Sequence, residues 1–233
     1  METVNDIKYE WADYLVSRKT NVKRLWKPKL NELINKIEAL KNKELEKYLN
    51  LLCEAYFDYN LEIPIAHPTI WSRVLRQWEN NISCLDVKNL MWIYKAYNYN
   101  NVYELFNVEP YQILEKVLEL ESSNEKAEEL LFLGKLDTLD FALHELPTGL
   151  VMDKEVCIKC IDYCELKIQK NKKLSNIKTR FNLDFVYYKN LFFYWQEYKV
   201  KNIKEDFFEW IRAQQTNKNE ETNNFPSRVN YCS

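Results

Sequence analysis

Two glycines, Gly134 and Gly149, in 233 residues constrain this chain more than any motif it carries. Glycine supplies the left-handed backbone of tight hairpins and lets a main chain approach a phosphate closely. A dinucleotide fingerprint takes three closely spaced glycines, a P-loop takes two before its lysine, and a nucleophile elbow takes two around its serine. None of these spacings can be written with this chain. An all-β fold built on hairpin turns is disfavoured on the same ground. Helices need few glycines, and Leu, Glu, Lys, Tyr and Asn dominate the sequence. The expected fold class is therefore all-α.

Capping residues and a 3.6-residue apolar period predict about ten to twelve short helices, packed as a helical-repeat solenoid or a multi-helix bundle. Thr3 with Asp6 caps a helix over 4–17. Pro28 opens PKLNELINKIEAL, which carries Leu30, Leu33, Ile34, Ile37 and Leu40 on one face. Further helices are expected over 44–59, from Pro68 through Trp78, over 84–98 behind a Ser83/Asp86 cap, and over 110–121. Ser123 is read as the cap of a helix over 124–133 that ends at Gly134, a natural C′ residue. Asp153 caps 154–170, and helices over 183–199 and 203–213 finish the pattern. Residues 1–213 read as a single helical domain. Residues 214–233, QQTNKNEETNNFPSRVNYCS, read as a polar, flexible tail.

The pattern contains an internal repeat. ELEKYLNLLCEAYFDYN, a loop and HPTIWSRVLRQWEN lie over DVKNLMWIYKAYNYN, a loop and EPYQILEKVLELES. Ala55–Tyr56 falls on Ala96–Tyr97, and Pro68 falls on Pro110. A third copy runs from Glu128 through Asp153 to Cys164. Each unit is a helix with small and aromatic residues inside, a loop, and a second helix opened by Pro or Asp. In format this resembles the helix-pair repeats of HEAT and TPR proteins, over about residues 43–170. A globular bundle is the alternative architecture.

The N-terminus carries Glu2, Asp6, Glu10 and Asp13 and has neither the basic nor the apolar region of a signal peptide. No apolar run reaches the roughly 18 residues of a membrane span. The expectation is a cytoplasmic protein with no membrane partner. Its six cysteines, Cys53, Cys84, Cys157, Cys160, Cys164 and Cys232, are then thiols.

Two constellations invite a chemical reading. Cys157, Cys160 and Cys164 in VCIKCIDYCEL contain a C-x-x-C. A structural zinc site takes four ligands, and no second C-x-x-C exists. The three share a helix face with Ile161 and Ile168, so a buried apolar role is expected and no metal or cofactor. Asp137, Asp140 and His144 in LDTLDFALHEL follow i, i+3, i+7 spacing, which lets an Asp orient an imidazole for base work or metal binding. No nucleophile or further ligand accompanies them, and the chain is expected to be non-enzymatic. A hydrolase or metalloenzyme using His144 and Asp140 is the alternative. Aromatic residues make up 15% of the chain, most densely in FVYYKNLFFYWQEYK at 185–199. That run reads as a central core helix, with an aromatic peptide groove of a helical-repeat adaptor as its functional alternative.

Charge is unevenly placed. Between Asn101 and Leu166 fifteen acids face five lysines, for a net −10, whereas residues 18–29 and 167–180 each carry +6. A pI near 5.9 argues against a general nucleic-acid binder. The basic stretches remain candidate phosphate contacts. The acidic centre suits a basic protein partner. The candidate partner-binding residues are Glu115, Glu119, Glu121, Glu125, Glu128, Glu129, Asp137 and Asp140. Small acidic helical proteins of this kind resemble immunity or antitoxin-like proteins, which implies masking of a basic toxin through the surface of residues 104–153. The sequence leaves the oligomeric state open.

Overall fold

The computed structural model describes residues 3–81, 85–97 and 109–218. Within them lie ten helices: α1 (Val4–Lys19), α2 (Lys23–Ala39), α3 (Asn42–Phe57), α4 (Pro68–Asn81), α5 (Val87–Ala96), α6 (Pro110–Leu120), α7 (Glu125–Ala142), α8 (Lys154–Lys170), α9 (Phe185–Val200) and α10 (Phe207–Lys218). A short 3-10 turn spans Lys172–Asn176, and the one β contact among the described residues is an isolated bridge between Lys178 and Asp184. The fold is all-α. No helix among the described residues is long and apolar enough to cross a membrane. The chain divides into two compact units, Met1–Ala127 and Glu128–Ser233, with the division in the first turn of α7.

In the first unit α1 packs on α2 and α3, α4 lies against α2 and α3, and α5 touches α3 and pairs with α6. Thr3 and Asp6 form the capping box of α1, whose Ile7, Trp11 and Tyr14 are buried. Polar groups pin these helices at defined points. The Trp11 indole donates to the Tyr48 hydroxyl at 3.1 Å, and that hydroxyl donates to Glu10 Oε2 at 2.7 Å. Lys36 pairs with the other oxygen of Glu10. One carboxylate thus ties α1 to α2 and α3. Burial pushes the Tyr48 hydroxyl up to about 12, and the Trp11 bond offsets part of that rise. Asp58, just past α3, accepts from the Trp92 indole at 2.9 Å and pairs with Lys95 at 2.6 Å, which fixes α5.

α2 begins at Lys23, so Pro28 lies inside it and does not open it. The added turn has its own anchor: Trp26 meets the Tyr14 ring edge-on at 6.4 Å, under the Arg18 guanidinium at 4.9 Å. Pro28 is the sixth residue of α2 and has no N–H to give the Arg24 carbonyl, so the helix runs through it at the loss of one backbone hydrogen bond. Asp86 caps α5, accepting from the Asn89 N–H at 2.8 Å. Ser83, read as part of that cap, lies outside the described residues, as do Glu104, Cys84 and Cys232.

The repeated segments fold as like pairs. A loop joins α3 to α4, and α4 opens at Pro68 as α6 opens at Pro110. Ala55 and Ala96 are both fully buried at matching positions. This arrangement is compatible with helix-pair repeats and with a bundle.

In the second unit α7 does not stop at Gly134. It continues for two further turns, because Leu131 and Phe132 before the glycine and Leu136 and Leu139 after it extend one buried stripe. Asn124, not Ser123, caps it, its side-chain oxygen accepting from the Ala127 N–H at 2.9 Å. The loop to α8 carries a cis bond at Leu146–Pro147 and is held to α9 by the Trp195 indole on the Pro147 carbonyl and by Lys199 on the Thr148 carbonyl. α9 buries Phe185, Tyr188, Leu191 and Phe192, while Trp195 and Tyr198 pack partly against the same core and Phe193 faces outward. α10 runs on to Lys218 behind Asp206, which accepts from the Phe208 and Glu209 N–H groups. Residues 219–233 of the tail lie outside the described residues.

Candidate partner-binding surface

The eight acidic residues singled out by charge divide between the two units. Glu115, Glu119, Glu121 and Glu125 belong to the first, and Glu128, Glu129, Asp137 and Asp140 to the second.

α6 presents the first group. Glu109 caps it, its backbone N–H donating to Gln112 Oε1 at 2.7 Å, and Pro110 occupies the first turn. Ile113, Leu114 and Val117 point into the core. The opposite stripe carries Tyr111, Glu115 and Glu119 at i, i+4 and i+8, all exposed, with Leu120 beside them. Glu121 ends the helix and accepts from the Asn124 amide at 3.0 Å. Glu125 opens α7 and is exposed. No ion pair among the described residues engages Glu115, Glu119 or Glu125. Two exposed lysines, Lys116 and Lys126, interrupt the stretch.

The second group is largely engaged within its own unit. Glu128 receives Lys167 and the Asn171 amide, each at 3.0 Å, which ties α7 to the end of α8. Burial pushes its carboxyl up, but the hydrogen bonds from Asn171 and Lys167 and the charges of Lys167 and Lys170 outweigh that, and it ends below the usual range. Asp140 is half-buried and accepts from the Tyr188 hydroxyl at 3.0 Å, which in turn meets Thr179 Oγ1 at 3.1 Å. Thr179 and Tyr188 are both buried. Asp137 titrates above the usual range, first because the protein desolvates its carboxyl and then because Asp140 repels the charge, with Arg180 offsetting part. Glu129 is exposed.

His144 does not continue the spacing of Asp137 and Asp140, because α7 ends at Ala142. It stands in the following turn, 4.0 Å from Glu145. Cys157, Cys160 and Cys164 are free thiols buried in the core of the second unit with Ile161. Burial, reinforced by Cys160, pushes Cys157 to about 11 and Cys164 to about 12, the latter against the pull of Lys135. A thiol held that high is a poor nucleophile at neutral pH. Among the described residues no three His, Cys, Asp or Glu side chains group as metal ligands.

Sequence reasoning found the acidic residues but not their internal partners. Lys167 and Asn171 lie at the start of the basic stretch 167–180, and that juxtaposition of opposite charge was the available signal for Glu128. Nothing in the spacing pointed Tyr188 at Asp140 from 48 residues away. No family model, curated protein or solved structure matches this chain.

Proposed function

We propose that this chain is a non-enzymatic binding protein whose acidic face in the first unit takes a basic protein partner. The observation that carries the reading is the state of the carboxylates. Glu115, Glu119 and Glu125 are exposed and unspent, whereas Glu128 and Asp140 are consumed by neighbours within the second unit. Unspent carboxylates keep their full field for a partner and speed its encounter. Tyr111 and Leu120, 42% and 58% exposed, stand among them and supply the apolar contact that charge alone does not. The finer reading is an immunity or antitoxin-like protein that masks a basic toxin. A HEAT- or TPR-like stacking of the helix pairs would serve as its scaffold.

The test is capture from host lysate on the immobilised chain, at low and at moderate salt, with mass spectrometry of what is retained. Retention of one stoichiometric basic protein that moderate salt releases supports the reading. Retention of acidic proteins or nucleic acid in its place overturns it.

A further inference from the structure

A groove of about 760 Å³ lies between α3 and α4 in the first unit, within the roughly 300–1,000 Å³ range of ligand pockets. Leu45 and Leu49 of α3 give it an apolar lining, Leu49 almost wholly buried. Its charged residues are sorted by sign. α4 contributes Arg73 and Arg76, one turn apart, which are two of the seven arginines in the chain. α3 contributes Glu46, and the last turn of α2 contributes Glu38. No ion pair or hydrogen bond among the described residues engages any of these four side chains. Elsewhere in the same unit the helices do pair their charges, as with Lys88 and Glu54 at 2.9 Å. The groove therefore holds two cations on α4 and two anions, one on α3 and one on α2, that make no ion pair with one another.

Such walls select a particular ligand. Seven residues of helix rise about 10 Å, which is the length of each wall from Asn42 to Leu49 and from Thr69 to Arg76. An extended chain advances about 3.3 Å per residue, so three or four residues fit. Its successive side chains point to opposite sides. We propose that this groove binds an extended partner segment in which acidic and basic residues alternate. The acidic side chains meet Arg73 and Arg76, whose planar forks donate paired N–H groups to a carboxylate. The basic side chains meet Glu38 and Glu46. This site shares no residue with the acidic face of α6, so either reading can fail without the other.

The test uses two labelled tetrapeptides, acetyl-Glu-Lys-Glu-Lys-amide and its block isomer acetyl-Glu-Glu-Lys-Lys-amide, read by fluorescence anisotropy on the full chain at low salt. The alternating peptide is expected to bind at least tenfold more tightly than the block isomer. Arg73→Glu with Arg76→Glu is expected to weaken it at least tenfold. Exchanging both walls, by adding Glu38→Arg and Glu46→Arg, is expected to restore it. If the arginine variant fails to fold, Glu38→Lys with Glu46→Lys, at two exposed positions, makes the same test from the other wall. Equal affinity for the two peptides, affinity indifferent to reversal of a wall, or no binding at millimolar peptide would each overturn the proposal.

Discussion

Asn21, Asn42, Asn60, Asn182 and Asn202 hold φ between 50° and 62°, and neither glycine does. The left-handed region costs most L-residues about 1 kcal/mol or more, and asparagine tolerates it because its short amide bonds locally. A chain with two glycines therefore turns its corners on asparagine. Counting glycines hid where the helices end. Asn182 makes the point testable. It shapes the 179–184 turn, where its N–H reaches the Thr179 carbonyl at 2.9 Å. Asn182→Ala should lower unfolding free energy by about 1 kcal/mol, whereas Asn182→Gly should change it by only a few tenths. Urea denaturation distinguishes the two. The carboxylates give a second residue-level prediction. The folded state holds Glu128 below its unfolded value, so its contribution is complete above about pH 4.3 and is lost as pH falls through the folded value. Glu128→Gln should destabilise at pH 7, and the difference should shrink on acidification. Asp137 is shifted the other way. Its ionised form opposes folding above the folded value, and that penalty vanishes below its unfolded value of about 3.9. Asp137→Asn should therefore stabilise at neutral pH and do nothing in acid, as thermal melts across pH would register.

The elements were legible where an apolar stripe and a cap agreed. Thr3 with Asp6, Pro68, Pro110 and Asp153 each begin a helix where the pattern put it, whereas α5 begins at Val87, directly after Asp86, and not at residue 84. Two residues misled for a common reason: Pro28 and Gly134 are punctuation in most contexts, and here tertiary packing overrides them. Trp26 against Tyr14 carries α2 one turn ahead of its proline. The buried Leu131–Leu139 stripe carries α7 through its glycine. An added Cβ at Gly134 meets nothing within 4 Å. Gly134→Ala should accordingly stabilise by about 0.5–1 kcal/mol through the helix interior and the unfolded chain. A loss of stability, read from the shift in thermal midpoint, would mean that α7 breaks where the sequence alone suggested. The aromatic run of α9 shows what periodicity delivers and what it omits. It marked the run 185–199 as a core helix, but it could not say that the Tyr188 hydroxyl needs Asp140 and Thr179 once buried.

For the whole molecule, a net charge of −2 conceals strong segregation, +6 over residues 18–29 against −10 over 101–166. Net charge alone would predict weak electrostatics, whereas segregated charge makes binding steep in salt. The acidic composition of the middle of the chain was visible in the sequence. Which carboxylates remain available was not, because that depends on Lys167, Asn171 and Tyr188 arriving from distant helices. Of the eight acidic residues, Glu115, Glu119 and Glu125 make no ion pair with a described residue, and Glu121 accepts from the Asn124 amide. The most direct measurement compares the wild-type chain with Glu115→Lys, Glu119→Lys, Glu121→Lys and Glu125→Lys combined, both immobilised and challenged with the same host lysate at low salt. All four positions are exposed, so the fold should survive, as circular dichroism would verify. The account predicts that a basic protein held by the wild type is lost from the reversed chain. Retention of the same proteins by both chains would contradict it.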